Sequence, residues 1–325
     1  MIKVVILVSD YCLLSGVAGP MDMFLQTGVI WNSILAQKPT PYFDVKIATL
    51  DGKPVNAYND MPVVPHCSIE AVEEADLIIV PSQGFHFEQD EAFHQRVKYL
   101  KLWHERGADL ASICTGAFTL AATGLLDGKT ATTHWGAAQA FRKIYPAVDL
   151  QINKMVTDEG RLFCGGGITA DLNLSLYLIS KYCGREVALQ SSRCTLVDLD
   201  RITQLPFAIF LSDKNHQDPE ILNAQEWIEN NYQQNVSVDS LAKTGDMSKR
   251  NFNRRFKSAT GESVVTYIQL IRVEAAKKLL EQDSASFDEI SVDIGYENVS
   301  FFRRVFKRTT GLSPTAYRKK FNLFL

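Results

Sequence analysis

Two stretches near the C-terminal end of this 325-residue chain set cations and aromatics at helical spacing. In Ser248–Tyr267, Lys249, Arg250, Arg254, Arg255 and Lys257 surround Phe252 and Phe256, with no acid between Ser248 and Gly261. In Asn298–Tyr317, Arg303, Arg304, Lys307 and Arg308 surround Phe302 and Phe306, and no acid follows Asn298. Phenylalanines at i and i+4 form a stripe that a helix buries, which leaves the cations on the opposite face. Such a face neutralises phosphates, and its guanidinium groups can donate two parallel hydrogen bonds to guanine O6 and N7. A second chemistry lies in the N-terminal half. Cys114 ends the β-rich run Asp109–Ile113 and is followed by a small-residue turn and a helix. There a tight turn presents one side chain above a sheet, and the following N–H groups face an anion. His134 stands twenty residues on, in Thr132–Trp135. An imidazole beside a thiol can lower its pKa and make a nucleophile. The alternatives are an inert buried cysteine and a structural histidine.

The C-terminal stretches are copies of each other. Shifted by fifty residues, eight of twenty positions coincide, among them Phe252/Phe302, Arg254/Arg304, Phe256/Phe306, Lys257/Lys307, Gly261/Gly311 and Tyr267/Tyr317. Chance would give about one or two. Ser248 and Asn298 suit helix N-caps, and Gly261 and Gly311 suit the left-handed position after a helix. Val238–Ala242 and Glu289–Val292 read as short preceding helices, with Gly245 and Gly295 in the turns, so each copy reads as a helix-turn-helix. Between the copies, Ser263–Glu281 is apolar at 264, 268, 271, 275 and 279. It predicts one continuous helix ~28 Å long. Major-groove faces recur every ~34 Å on one side of a duplex, so such a helix can set two readers one turn apart.

The first two hundred residues alternate β-rich runs with helical patterns. Ile2–Val8, Phe43–Thr49, Leu77–Val80 and Leu110–Ile113 read as strands. Met21 to about Leu35, Glu91–Arg106, Gly116–Thr123, Trp135–Tyr145 and Ala170–Tyr182 read as helices. The pattern predicts an α/β domain with a mostly parallel sheet and helices on both faces, followed by an all-α domain with two helix-turn-helix units. Residues 1–195 form the first domain, 196–217 a polar linker and 218–325 the second. The glycine run Gly165–Gly167 before a helix suits either an anion site or close strand–helix packing.

Composition sets limits. The chain is 46% hydrophobic and 22% charged, with a net charge of −3. From His216 onward sixteen basic residues face fourteen acidic ones, so DNA affinity must come from where the charges sit. No run reaches the roughly 18 apolar residues of a membrane helix. The six cysteines form no Cys-x-x-Cys pair, so neither a zinc site nor any other cofactor is expected, and reduced thiols in the cytoplasm are.

Residues 218–325 resemble the double helix-turn-helix domain of the AraC/XylS family, carried by Ile290–Tyr296, Phe301–Phe306, Gly311–Pro314 and Tyr317–Arg318. The resemblance implies binding to double-stranded promoter DNA, activation as the commonest outcome, and RNA polymerase as a protein partner. Carried over, it places Lys249, Arg250, Asn253, Arg254 and Lys257 on the first DNA-facing surface. Asn298, Val299, Ser300, Arg303, Arg304 and Lys307 lie on the second. Residues 1–195 resemble the PfpI-type, glutamine-amidotransferase-like domain through the elbow, Gly124–Gly128 and Thr133–His134. Its enzymes use an elbow cysteine, a histidine twenty residues on and an acid near the first strand. Cys114 and His134 carry over, but the acid position is Gly16, and the family's glycine pair after the third strand is Ser82–Gln83. Together the domains resemble the GlxA-type branch of AraC regulators, which implies a domain repurposed for dimerisation and sensing. The expected pocket for a small-molecule effector comprises Cys114, Thr115, His134, Gln83 and Gly16. The rival expectation is an active cysteine hydrolase, amidase or lyase.

Overall fold

The computed structural model describes residues 1–85, 89–199, 201–282 and 285–322. The chain divides into two compact units, Met1–Gln204 and Leu205–Leu325. The division falls within the stretch read as a linker.

The first unit is built on a seven-stranded sheet. Its strands are β1 (Ile2–Leu7), β2 (Phe43–Thr49), β3 (Cys67–Ser68), β4 (Leu77–Val80), β5 (Asp109–Ile113), β6 (Val156–Asp158) and β7 (Leu162–Gly165). They are ordered β6-β7-β5-β4-β1-β2-β3, and every pairing is parallel except β6 with β7. Around them lie α1 (Ser15–Gln26), α2 (Ile30–Ile34), α3 (Glu91–Glu105), α4 (Gly116–Ala121), α5 (Ala138–Ile144), α6 (Ala170–Cys183) and α7 (Arg185–Thr195). Successive strand residues point to opposite faces, and both faces are covered. Val5 and Leu7 join a core with Leu100 and Trp103 of α3, Leu120 of α4 and Phe141 of α5. Val4, Ile6 and Val8 join another with Phe24 of α1, Leu174 and Leu178 of α6 and Ala188 of α7.

The expected helix from Met21 to Leu35 is two helices. α1 starts earlier, at Ser15, and carries Pro20 inside it. It stops where Gly28 adopts φ +77° against the Thr40 carbonyl, before the short α2. Strands β3, β6 and β7 and helix α7 were not expected. Only Ala188 and Ser191 of α7 are buried, too narrow a stripe to read as a helix face.

The second unit comprises α8 (Pro219–Asn231), α9 (Val238–Thr244), α10 (Lys249–Thr260), α11 (Val264–Gln282), α12 (Phe287–Asp293), α13 (Val299–Thr310) and α14 (Pro314–Phe321). It holds two cores that share α11. Val264, Tyr267 and Ile268 pack with Phe252 and Phe256 of α10 and Ile221 and Ile228 of α8. Val273, Ala276 and Leu280 pack with Ile290 of α12, Phe302 and Phe306 of α13 and Tyr317 of α14. The apolar face of α11 therefore changes partner midway. The expected positions 271, 275 and 279 are only partly buried, because the stripe divides between two cores.

Candidate functional site

Helices α10 and α13 occupy the same positions in the two copies. Each starts at a side-chain cap: the Ser248 hydroxyl accepts from the Asn251 N–H, and the Asn298 carbonyl oxygen accepts from the Phe301 N–H. Each ends at a left-handed glycine, Gly261 at φ +78° and Gly311 at φ +74°, whose N–H returns to the carbonyl of Lys257 or Lys307. A side chain would strain that conformation. The turn before each helix differs. In the second copy Gly295 takes φ +90°, but in the first the left-handed residue is Asp246, not Gly245. Both copies are closed by a tyrosine bonded to a carboxylate. Tyr267 Oη donates to Glu229 at 2.7 Å, and Tyr317 Oη donates to Glu281 at 2.6 Å.

With the aromatic faces buried, Lys249, Arg250, Asn253, Arg254 and Lys257 are exposed on α10. Ser300, Arg303, Arg304 and Lys307 are exposed on α13. Asn298 is exposed but its side chain already caps α13, and Val299 is half-buried against the second core. Two of the exposed cations hold weak partners. Lys249 pairs with Asp239 and Arg303 with Asp288, each at 2.9 Å with both side chains at least half in solvent. Exposed pairs contribute only about 0–1 kcal/mol, so a phosphate can displace them. Arg255, in the same basic window, does different work. It forks onto Asp218 at 2.6 and 2.8 Å and reaches Glu220 at 2.7 Å, holding the Asp218 carboxyl below its ordinary range. It ties α10 to α8, and the equivalent position in α13 is the buried Val305.

In the α/β unit, Cys114 takes φ +56°, the left-handed conformation of an elbow nucleophile, rarely adopted by a residue with a side chain. Its N–H donates to the Gly165 carbonyl at 2.7 Å, and its carbonyl accepts from Thr133 Oγ1 at 2.8 Å. Gly116 lets α4 start hard against β4, since a Cβ there would lie 2.4 Å from the Val80 carbonyl oxygen. Thr115 Oγ1 sits 2.8 Å from Ser82 Oγ and accepts from the Gln83 N–H at 3.1 Å. Gly16 faces the same loop, with room for a Cβ 3.6 Å from the Ser82 nitrogen. Cys114, Thr115, Gln83 and Gly16 thus meet at one place.

The electrostatics run against a nucleophile. Cys114 is buried, and burial pushes its thiol up more than hydrogen bonds from Ser82 and Thr115 pull it down. Burial lowers the pKa of His134, whose Nδ1 accepts from the Gly136 N–H at 3.0 Å and whose ring edges against Phe85. Among the described residues no hydrogen bond joins His134 to Cys114. The Cys/His pair that the spacing suggested is thus not joined by a hydrogen bond in this arrangement, and burial works against a thiolate at Cys114. The glycine run serves packing: Cβ atoms at Gly165 and Gly166 would meet Leu174 and the Gln204 amide.

Two polar residues of this region escaped the sequence reading. Asp171, in the first turn of α6, is 3% exposed, and its carboxylate lies against Gly19. Burial raises its pKa to about 6, and its charge in turn raises that of Cys114. Gln204, also 3% exposed, bonds the Thr132–Trp135 segment. The glycine run hinted at the first; nothing local marked the second. A cavity of about 490 Å³ lies away from the elbow among Met155, Leu176, Tyr177, Arg185, Ala188 and Arg201. Among the described residues no His/Cys/Asp/Glu group suits a metal ion, and no helix is long and apolar enough to cross a membrane.

Known proteins share both halves. Residues 2–181 match the DJ-1/PfpI family, and residues 241–320 match a helix-turn-helix domain. The HTH-type transcriptional regulator GbdR of Pseudomonas aeruginosa is 26% identical over 83% of this chain and 73% of its own length. The HTH-type transcriptional regulator GlxA of Rhizobium meliloti is 29% identical over 66% of each chain. The crystal structure of an AraC family transcriptional regulator from Pseudomonas putida superposes with a TM-score of 0.51 at 17% identity, covering 60% of this chain and all of that one, and shows a shared fold. The chain belongs to the DJ-1/PfpI family and joins that α/β fold to an AraC-type helix-turn-helix domain, the architecture of HTH-type transcriptional regulators.

Proposed function

We propose that this regulator answers a small-molecule effector and reads promoter DNA with two helices per chain. The carrying observation is the pair of exposed basic faces on α10 and α13, repeated at fifty residues and held by one helix, α11. Lys249, Arg250, Asn253, Arg254 and Lys257 read one groove segment. Ser300, Arg303, Arg304 and Lys307 read the next, while Asn298 and Val299 shape the start of the second helix and approach the backbone there. The α/β unit serves as the sensor, with Cys114, Thr115, Gln83, Gly16 and His134 around its effector pocket, and as the dimerisation surface. It performs no catalysis: burial disfavours the Cys114 thiolate, among the described residues no hydrogen bond joins His134 to it, and the family's acid position is Gly16. The protein acts in the cytoplasm as an activator and contacts RNA polymerase.

The test is a salt titration. The full chain selects duplexes from a random pool, and its affinity for the selected site is measured across salt. Each neutralised phosphate contributes a slope of about −0.9 in log–log form, so two readers give a steep line. A flat response sinks the reading. Turnover of amides, esters and α-ketoaldehydes by the full chain that vanishes in Cys114→Ser would restore the enzyme.

A further inference from the structure

Helices α6 and α7 leave a space that their own side chains do not fill. Gly184 joins them at φ +91° and ψ 161°, a conformation essentially open to glycine alone, and turns α7 onto α6. Ser180 of α6 and Ala188 of α7 are small, and a cavity of about 490 Å³ remains beside them. Its walls are tied together. The Ile202 carbonyl accepts from the Met155 N–H at 3.0 Å, the Asp198 carbonyl accepts from Asn173 Nδ2 at 3.2 Å, and Tyr177 Oη donates to Asp158 at 2.5 Å. The cavity lies wholly within the first unit, and its size falls within the roughly 300–1,000 Å³ of small-molecule sites.

The lining divides by chemistry. Met155, Val156, Leu176, Ala188, Leu189 and Leu199 make the walls apolar. The charged residues of the described lining are both cations, Arg185 and Arg201, and no acid accompanies them there. Asn173 and Tyr177 already have donors committed to the bonds above. Arg201 is half-buried and donates Nη1 to a neutral acceptor, Thr169 Oγ1, at 2.5 Å. Burial lowers its pKa, and Asp171 works the other way. Arg185 stands exposed at the start of α7. A guanidinium set beside apolar walls gains most from a carboxylate that carries an apolar body, because the charge-assisted bond then forms out of bulk water. A cation would meet like charges here, and a polyanion would press charge against the apolar walls.

We propose that this cavity is a second ligand site, distinct from the elbow, for a small amphipathic carboxylate: its apolar part lies against Leu176, Ala188 and Leu189, and its carboxylate meets Arg201, with Arg185 at the exposed edge. The site draws on the first unit alone and does not depend on what the elbow binds. A ligand held there binds the folded chain and not the unfolded one, so it stabilises the fold by mass action.

Titration calorimetry on the full chain tests it, with octanoate as the probe, 1-octanol as the neutral control and acetate as the short one. Octanoate should bind saturably, at least about tenfold more tightly than either control, and should raise the melting temperature. Arg201→Ala should weaken that binding by about tenfold or more, and Arg185→Ala by less, because its charge stands in solvent. Ser180→Phe, which adds a ring to the cavity wall and keeps both cations, should abolish it. Should Arg201→Ala fail to fold, Arg201→Gln, which keeps a donor for Thr169 and loses the charge, takes its place. Equal affinity for octanoate and octanol, or affinity unchanged by loss of the Arg201 charge, overturns the site. So does a chain that octanoate leaves unsaturated at millimolar concentration. Binding that survives Ser180→Phe but vanishes in Cys114→Ser places the carboxylate at the elbow and overturns it as well.

Discussion

The two units handle their functional residues in opposite ways. In the helical unit the packing residues and the reading residues are different sets on opposite faces of the same helix. Phe252, Phe256, Phe302 and Phe306 are wholly buried, while Arg254 and Arg304 stand in solvent. In the α/β unit the candidate site and the core largely coincide: Cys114 and Thr115 belong to the interior as fully as the strands beside them. A duplicated module can vary its reading face without disturbing its fold. A buried elbow cannot change one without the other.

The largest effect should test this separation from the packing side. Phe306→Ala removes a wholly buried ring from the second core and should cost about 3–5 kcal/mol, measured by denaturant unfolding. Phe256→Ala should cost about as much in the first. If either leaves stability within about 1 kcal/mol of wild type, the aromatic stripe is not the framework. Next in size, Arg254→Ala and Arg304→Ala should each weaken specific binding by about 1–3 kcal/mol while leaving the melting temperature unchanged. Their footprints should shrink from different ends of the site. Loss of protection at the same base pairs would break the two-reader arrangement.

The α/β unit offers the complementary measurements. Burial raises Asp171 from 3.8 to about 6, so between those values the folded chain holds a proton that the unfolded chain has released. Stability contributed by this group is complete below about pH 4, falls as pH rises to about 6, and stays lower above that. Asp171→Asn should flatten that slope and stabilise the chain at pH 7 by of order 1–3 kcal/mol. Unchanged pH dependence would show the carboxyl to be solvated. The smallest effect belongs to Cys114→Ser. It should leave operator affinity within about twofold, since the reading faces lie elsewhere, and change only the response to ligand. A large loss of basal binding would mean that the elbow and the readers are not separable.

The same contrast explains what the sequence made visible. Duplication exposes itself in a single chain, so α10, α13, their caps and the length of α11 were legible from eight repeated residues. The sheet was legible from its apolar runs. The edge strands β3 and β6 were too short to register, the run of β7 is interrupted by Cys164 and Gly165, and α7 buries too little to leave a stripe. Gln204 and Asp171 matter through neighbours far away in sequence, Thr133 and Gly19, and no local pattern records such a meeting. Arg255 shows the converse: it sits in a basic run, yet its partners on α8 turn it inward.

Because α11 belongs to both cores, the rotational phase of the two readers is fixed by residue count. Each residue added to an α-helix advances it by about 100° and 1.5 Å. One residue inserted between Ile268 and Val273, where the helix passes from one core to the other, would swing α13 about a quarter turn from the groove that α10 faces. Seven residues would bring it back to within about 20°, some 10 Å farther along the duplex. Major-groove faces recur on one side of a duplex only every ~34 Å, so the seven-residue insertion restores the phase of α13 but not its step along the groove, and it should select duplexes through one reader alone. The one-residue insertion should select no two-part site at all.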